Sequence, residues 1–403
     1  MSHIKISENE ELVRDHMMVR GCVMKSLVDP ADFPAARKYA YLNAASVALM
    51  CKGAADAVLD WQRDIAENGT MNFDEKAEEK TFQDLHRAAA RLFRAEAEDI
   101  AVGSSATELM SSLAWAAAPS RGKSVVSTDI THPSTIYPWI RVARHMGSEV
   151  RWARGRDGYV NPADLARLID GRTAIVCVSH VEYGGGQLYD LADLADRVHD
   201  HGGLLIVDAT QSAGAVPIDV TAWDVDALVS SAYKWLCGPF GVALLYVAPH
   251  LQSSLEPGLV GWRSHREMWD FQADRLEYPD TASRFEFSTM AYGSAIGLTQ
   301  AVEYLLKVGV ERIFQHDRRL ADLLVQGLEE RKAEVISPKN EEERSPIVAA
   351  RFPGRSASEV AGRLNEAGVI VSARKDFVRF SPHLYNGTED IQRALGEIER
   401  ILG

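Results

Sequence analysis

Seven short apolar runs, each separated from the next by polar or helix-patterned sequence, occupy residues 100–247 and limit the possible folds more than any other feature. They are Ile100–Val102, Ser124–Ser127, Glu149–Trp152, Ala174–Val178, Leu204–Val207, Ala227–Ser230 and Val242–Val247. Runs this short and this uniformly apolar read as strands buried on both faces, the pattern of a mainly parallel sheet. Helices must then cross between strands, and the stretch Leu191–Gly202 has the periodicity for one such crossover.

Helical periodicity also runs from Ala54 to Glu67, stopping at Asn68-Gly69, and from Phe82 to Phe93. A long amphipathic helix from Ser294 to Val308 opens a second region. There the pattern predicts a helix Glu311–Arg331, strands Ile347–Phe352 and Val369–Ser372 with a helix Ala357–Ala367 between them, a strand Val378–Phe380, and a closing helix from Thr388. A chain of 403 residues exceeds the roughly 250–300 at which one hydrophobic core stops growing. The expected layout is α/β: an N-terminal arm (1–38) contributing to the small domain or an interface, a large domain (39–293) with a mainly parallel sheet, and a smaller C-terminal α+β domain (294–403).

Composition narrows the partners. The net charge of −13 argues against nucleic acid or an anionic membrane. The four cysteines (Cys22, Cys51, Cys177, Cys237) show no C-x-x-C and no paired spacing, so neither a disulfide framework nor a metal is expected. No apolar run reaches 18 residues and the N-terminus has no apolar signal core, so the expectation is a cytoplasmic protein without membrane segments.

Two ionisable residues stand at the ends of apolar runs. Asp208 follows Leu204–Val207, which places a carboxylate at the C-terminal edge of a buried strand, where α/β sheets bind ligands. A buried carboxylate needs a cationic partner, and a protonated pyridine nitrogen is one candidate. Lys234, 26 residues later, follows Ala227–Ser230 between Tyr233 and Trp235. A desolvated lysine loses its proton more readily, as an amine that captures an aldehyde must. Either residue alone is commonly a turn former or a solvated surface group; their joint placement is what points to a site.

VDATQSAGAVPIDV followed by SSAYKWLCGPFGVALLYV resembles the class V aminotransferase family, and the resemblance extends from Tyr41-Leu42-Asn43 to Leu384-Tyr385-Asn386. That family uses pyridoxal phosphate on fold type I and includes cysteine desulfurases and isopenicillin-N-epimerase-like enzymes. The resemblance implies that Lys234 carries the cofactor as a Schiff base, Asp208 faces its pyridine nitrogen, Gln211 its phenolic oxygen and Ser231 its phosphate, with Tyr233 alongside. Gly103-Ser104-Ser105-Ala106-Thr107 opens a helix after a strand, and the resemblance makes Ala106 and Thr107 phosphate ligands. His132, in Thr131-His132-Pro133-Ser134, is implied to stack on the cofactor and relay protons, although Thr131 stands where the family usually has Glu. Arg284–Thr289 resembles the segment that reaches a neighbouring subunit, so Thr289 is implied to complete the partner's phosphate site in a homodimer.

At the substrate end, the resemblance makes Arg379 the fork for an α-carboxylate, while Tyr183, Trp262 and Arg263 are expected to line the substrate pocket. Departures from the family bear on the reaction. Ten residues separate Gly368 from Arg379 and none is cysteine, so the nucleophilic thiol loop of the desulfurases is absent. The expected chemistry is a Cα carbanion formed on an amino-acid substrate. A C–S or other β-lyase outcome is preferred over epimerase or aminotransferase, and a non-catalytic cofactor-binding protein is a minor alternative.

Overall fold

The computed structural model describes residues 23–403; Cys22 and the start of the expected arm lie outside the described residues. A short strand β1 (Ala40–Tyr41) precedes seven longer ones: β2 (Ile100–Gly103), β3 (Ser124–Thr128), β4 (Glu149–Ala153), β5 (Thr173–Ser179), β6 (Leu204–Asp208), β7 (Ala227–Ser231) and β8 (Ala243–Val247). Every expected apolar run is one of these strands, to within one residue at either end. They form one sheet in the order β2-β8-β7-β6-β5-β3-β4. Only β8 runs against its neighbours; the remaining pairs are parallel.

Burial on both faces explains the uninterrupted apolar runs. Val126, Val176, Leu205 and Val207 point into one core, which the helices Gln83–Phe93 and Leu191–His199 also line. Val125, Ile175, Ile206 and Val229 point into the other, covered by the helices Ala106–Ala116 and Pro133–Met146. The edge strand β4 is the most open, with four of its five residues at least partly exposed. The crossover helix expected to reach Gly202 stops at His199, and the chain turns through Gly202 at φ 70°.

The smaller layer holds β9 (Glu334–Val335), β10 (Val348–Arg351), β11 (Val369–Ile370), β12 (Ser372–Arg374) and β13 (Phe377–Phe380). The antiparallel order is β12-β13-β10-β9, while β11 pairs in parallel with β1. The sequence predicts one strand over Val369–Ser372, and here it is corrected. Val369 and Ile370 lie in parallel register with Ala40 and Tyr41, whereas Ser372–Arg374 pair with Phe377–Arg379. Two partners in two sheets force the chain to bend between them.

Packing carries the first core past residue 294. The helix Tyr292–Val308 contributes Ala295, Leu298, Val302 and Leu305 to it. The next helix, Val310–Glu330, spans both cores: Val310 and Ile313 belong to the first, Leu320, Leu324 and Leu328 to the second.

A buried polar chain fastens this helix to the large sheet. Asp317 Oδ2 lies 2.7 Å from His383 Nδ1, and both side chains are fully buried. The other ring nitrogen, Nε2, donates to the Trp235 carbonyl at 3.0 Å. Gly214 hems in the same carbonyl: it adopts φ +93°, and a Cβ there meets Trp235 O at 2.5 Å, leaving no room for a side chain. His383→Ala is expected to leave the Asp317 carboxyl buried without a partner and to cost about 3–5 kcal/mol. Urea unfolding followed by tryptophan fluorescence measures this, and a loss below about 1 kcal/mol contradicts the assignment.

Candidate active site

Because β8 is antiparallel to both β2 and β7, the C-terminal ends of β2, β3, β5, β6 and β7 share one edge of the sheet. The loops leaving that edge converge on one pocket. It is lined by Ser105, Ala106 and Thr107 after β2, His132 and Ser134 after β3, and Ser179 and Tyr183 after β5. Asp208, Thr210 and Gln211 follow from β6, and Ser231, Tyr233 and Lys234 from β7.

The helix Ala106–Ala116 opens onto this pocket with Ser105 as its N-cap, the serine hydroxyl accepting from Glu108 N–H at 3.1 Å. Among the described residues the amides of Ala106 and Thr107 have no acceptor, so two donors at a positive helix end line the cavity. Asp208 is held from two sides: Thr135 Oγ1 donates to Oδ2 at 2.7 Å and Thr210 N–H to Oδ1 at 2.9 Å. Its carboxylate is thus fixed in orientation at the strand end.

Lys234 is 9% exposed, and burial pulls its ammonium down to about 8, against the partial opposition of the Asp208 charge. The turn behind it closes through Cys237, whose N–H reaches Lys234 O at 2.8 Å and whose φ of 51° is unusual for a residue with a side chain. Gln211 is pinned by two bonds, accepting from the Trp235 indole at 2.8 Å and donating to Ala45 O at 3.0 Å. His132 caps the helix Pro133–Met146, with Nδ1 accepting from Ser134 N–H at 3.2 Å. The neutral ring therefore carries its proton on Nε2. Burial, reinforced by the Lys234 charge, lowers its pKa, so a flat uncharged imidazole faces the pocket near neutrality. Tyr183 meets this ring edge-on at 5.3 Å, and Tyr233 stacks on Phe240 at 4.5 Å.

Arg379, on β13 of the small layer, is 1% exposed; it does not itself line the Lys234 pocket, but its charge acts on Lys234 and His132. Nη1 donates to Tyr183 O and Nη2 to Ser46 Oγ, both at 2.6 Å. Nε has no partner, and no carboxylate pairs with this guanidinium among the described residues. Desolvation and the nearby Arg374 charge lower it to about 9, which describes a cationic fork lacking its anion.

Three expected site residues lie elsewhere in the chain. Arg263 is buried against the Phe82 ring at 4.8 Å, donates to Glu78 O at 3.3 Å and approaches Glu286 at 4.0 Å. Trp262 packs with Trp269 at 5.2 Å. Thr289 is exposed. None of them lines the pocket that holds Lys234. The pocket also has supports that sequence reasoning passes over: Thr135, Thr210 and Ser46. Thr131, where the family usually has Glu, is buried with its hydroxyl 2.8 Å from Ser179 Oγ.

This donor set suits an aldehyde-bearing phosphorylated pyridine: free amides at a helix N-terminus for a dianion, an anchored carboxylate for a ring nitrogen, and an amine of lowered pKa for the aldehyde. The sequence profile of the family described as aminotransferase class V matches residues 40–394. The chain belongs to the class V aminotransferase family. Pyridoxal phosphate is the cofactor of that family, and the architecture is its fold type I. An uncharacterized aminotransferase of Bacillus subtilis, YcbU, is 30% identical over 366 residues, spanning 91% of this chain and 95% of that protein. A probable cysteine desulfurase of Pyrococcus abyssi is 26% identical over 390 residues, spanning 92% and 96% respectively. The apo cysteine desulfurase of Thermococcus onnurineus superposes with a TM-score of 0.84 at 24% identity, over 93% of this chain and 97% of that one, a likeness of fold.

Behind the class V site sits a buried carboxyl. Glu182 is 1% exposed; it accepts from Thr128 Oγ1 at 2.8 Å, while Oε2 has no partner. Burial raises it from an ordinary 4.5 to about 8. The folded protein therefore holds a proton that the unfolded chain releases between those values, and Glu182 destabilises the fold as pH rises through that window. Glu182→Gln is expected to exceed the parent in stability by on the order of 1–3 kcal/mol at pH 8 and to match it near pH 4. Urea unfolding at both pH values tests this, and a difference independent of pH contradicts it.

Proposed function

We propose that this protein is a pyridoxal-phosphate enzyme that acts at the Cα of an amino-acid substrate and completes a β-lyase reaction, cleaving a C–S or related side-chain bond. The observation that carries the reading is the buried Lys234 amine of lowered pKa, set at the same sheet edge as the doubly anchored Asp208. When bound, pyridoxal phosphate withdraws electrons from Cα. The protein's own residues then have separate tasks. Ala106, Thr107 and Ser231 hold the phosphate, and Asp208 keeps a ring nitrogen protonated. Gln211 and Tyr233 fix the ring's position, and the neutral His132 covers its face. Arg379 grips the α-carboxylate and orients the Cα–H bond, with Tyr183 beside it. Lys234 supplies an amine of lowered pKa that would take the Cα proton and pass it to the departing side-chain atom as the Cβ bond breaks.

The lyase outcome needs no group beyond these. Cys51, Cys177 and Cys237 are buried, with thiols pushed above their ordinary range, and none lines the pocket. The chain between Gly368 and Arg379 folds as the tight hairpin β12–β13, with Lys375 and Asp376 at its turn rather than a thiol. This supports direct elimination over persulfide transfer. We further propose a homodimer in which Thr289 serves the neighbouring subunit's site and Trp262 anchors the interface. Exposed Val260, Phe271 and Leu276 in the segment before Thr289 favour this reading.

Borohydride treatment is expected to fix the cofactor to Lys234, as read by peptide mass. Lys234→Ala is expected to lose the fixed label and at least about 10²–10⁴-fold in turnover. Capture of added pyridoxal phosphate by the stripped protein should rise with pH through about 8 and then level, because only the unprotonated amine reacts. A Lys234→Ala variant still fixed by borohydride overturns the assignment. For the outcome, cysteine conjugates in heavy water are expected to yield a keto acid. Deuterium in recovered substrate indicates epimerisation instead, and conversion to the pyridoxamine form indicates transamination.

A further inference from the structure

A second arginine, Arg374, approaches the site beside Arg379. Its Nη2 donates to Ser46 Oγ at 2.9 Å, the same oxygen that Arg379 Nη2 reaches at 2.6 Å. Two guanidinium groups therefore converge on one hydroxyl, and their charges oppose each other. No carboxylate pairs with Arg374 or with the adjacent Lys375 among the described residues. In a chain of net charge −13, an unneutralised cationic pair beside a pocket is costly unless an anion arrives from outside.

The two arginines differ in what they face. Arg374 lines not the Lys234 pocket but a cleft of about 620 Å³ next to it, between the loops after β3 and β5 and the small layer. Tyr183 belongs to both cavities, so the cleft adjoins the site. The carboxylates around the cleft are mostly committed elsewhere. Asp129 pairs with Arg154, and Asp157 and Asp376 pair with Arg351. Burial leaves Glu182 protonated near neutrality. Arg374 and Lys375 are the cleft's free cations among the described residues.

We propose that the substrate is an amino acid whose side chain carries a second anionic group, and that Arg374, assisted by Lys375, binds it in this cleft. One guanidinium fork saturates one carboxylate. Arg379 suffices for the α-carboxylate, and Arg374 is left for an anion further along. This inference rests on the proposed reaction site but concerns only its side-chain specificity.

The test compares acids with their neutral isosteres on the cofactor-loaded protein by titration calorimetry. Suitable pairs are L-glutamate with L-glutamine, and S-carboxymethyl-L-cysteine with its amide. The acid of at least one pair is expected to bind about tenfold more tightly, the difference that a charge-assisted hydrogen bond supplies. Arg374→Gln is expected to abolish that preference while leaving amide binding unchanged, and Arg374→Lys to retain part of it. Arg379→Gln should weaken both members alike. Absence of an acid preference in the parent overturns the inference. So does a preference that survives Arg374→Gln, or equal weakening of both members by that change. A protein that captures no cofactor overturns the proposed function instead, which separates the two failures.

Discussion

Removing the Lys234 ammonium from water is the constraint on which the rest of the site depends. A lysine 9% exposed is destabilised in its charged form, and the site makes use of that cost, since the neutral amine is the reactive one. The Asp208 charge opposes the shift, so the two groups cannot be optimised separately. Anchoring by Thr135 and Thr210 directs Asp208 toward the pocket, away from a direct ion pair. A direct pair would hold the lysine protonated and inert. The geometry keeps both charges near enough to share a ligand without neutralising each other.

Such a balance needs a rigid frame, and the frame reaches beyond the large sheet. Trp235, next to Lys234, is fixed through its indole by Gln211, through its carbonyl by His383 and by the close approach of Gly214. His383 in turn rests on Asp317, from the helix that spans both cores. Movement of the small layer therefore acts on the lysine turn through hydrogen bonds fully shielded from water, where loss of one partner strands the other. The same layer carries Arg379, so this guanidinium and the lysine turn are referenced to one body.

What was legible in the sequence follows from this physics. The sheet could be read because its strands are buried on both faces, so each leaves a continuous apolar run. Asp208 and Lys234 could be read because they end such runs. The split of Val369–Ser372 could not: β11 and β1 are two residues each, too short to leave a period. Ser46 and Arg374 were equally hidden, since their bond joins positions 328 apart and neither flank carries a repeating pattern. Arg263 and Trp262 were placed by resemblance alone, and within one chain they face Phe82 and Trp269 instead.

The same contrast separates the cofactor end of the candidate site from the cleft beside it. Phosphate, ring nitrogen and aldehyde are invariant chemical demands, and their ligands sit on strand ends fixed by the sheet. The side-chain cleft has walls from the hairpin β12–β13 and from the loops 154–158 and 182–185, which share no hydrogen-bonded ladder with the large sheet. Their composition can change without disturbing Asp208 or Lys234. The short hairpin carries Arg374 and Lys375 and no cysteine, which sets both what the cleft attracts and what it can do. Such a hairpin brings positive charge and no thiol, and under the proposed lyase reading proton transfer falls to Lys234, the base at the sheet edge.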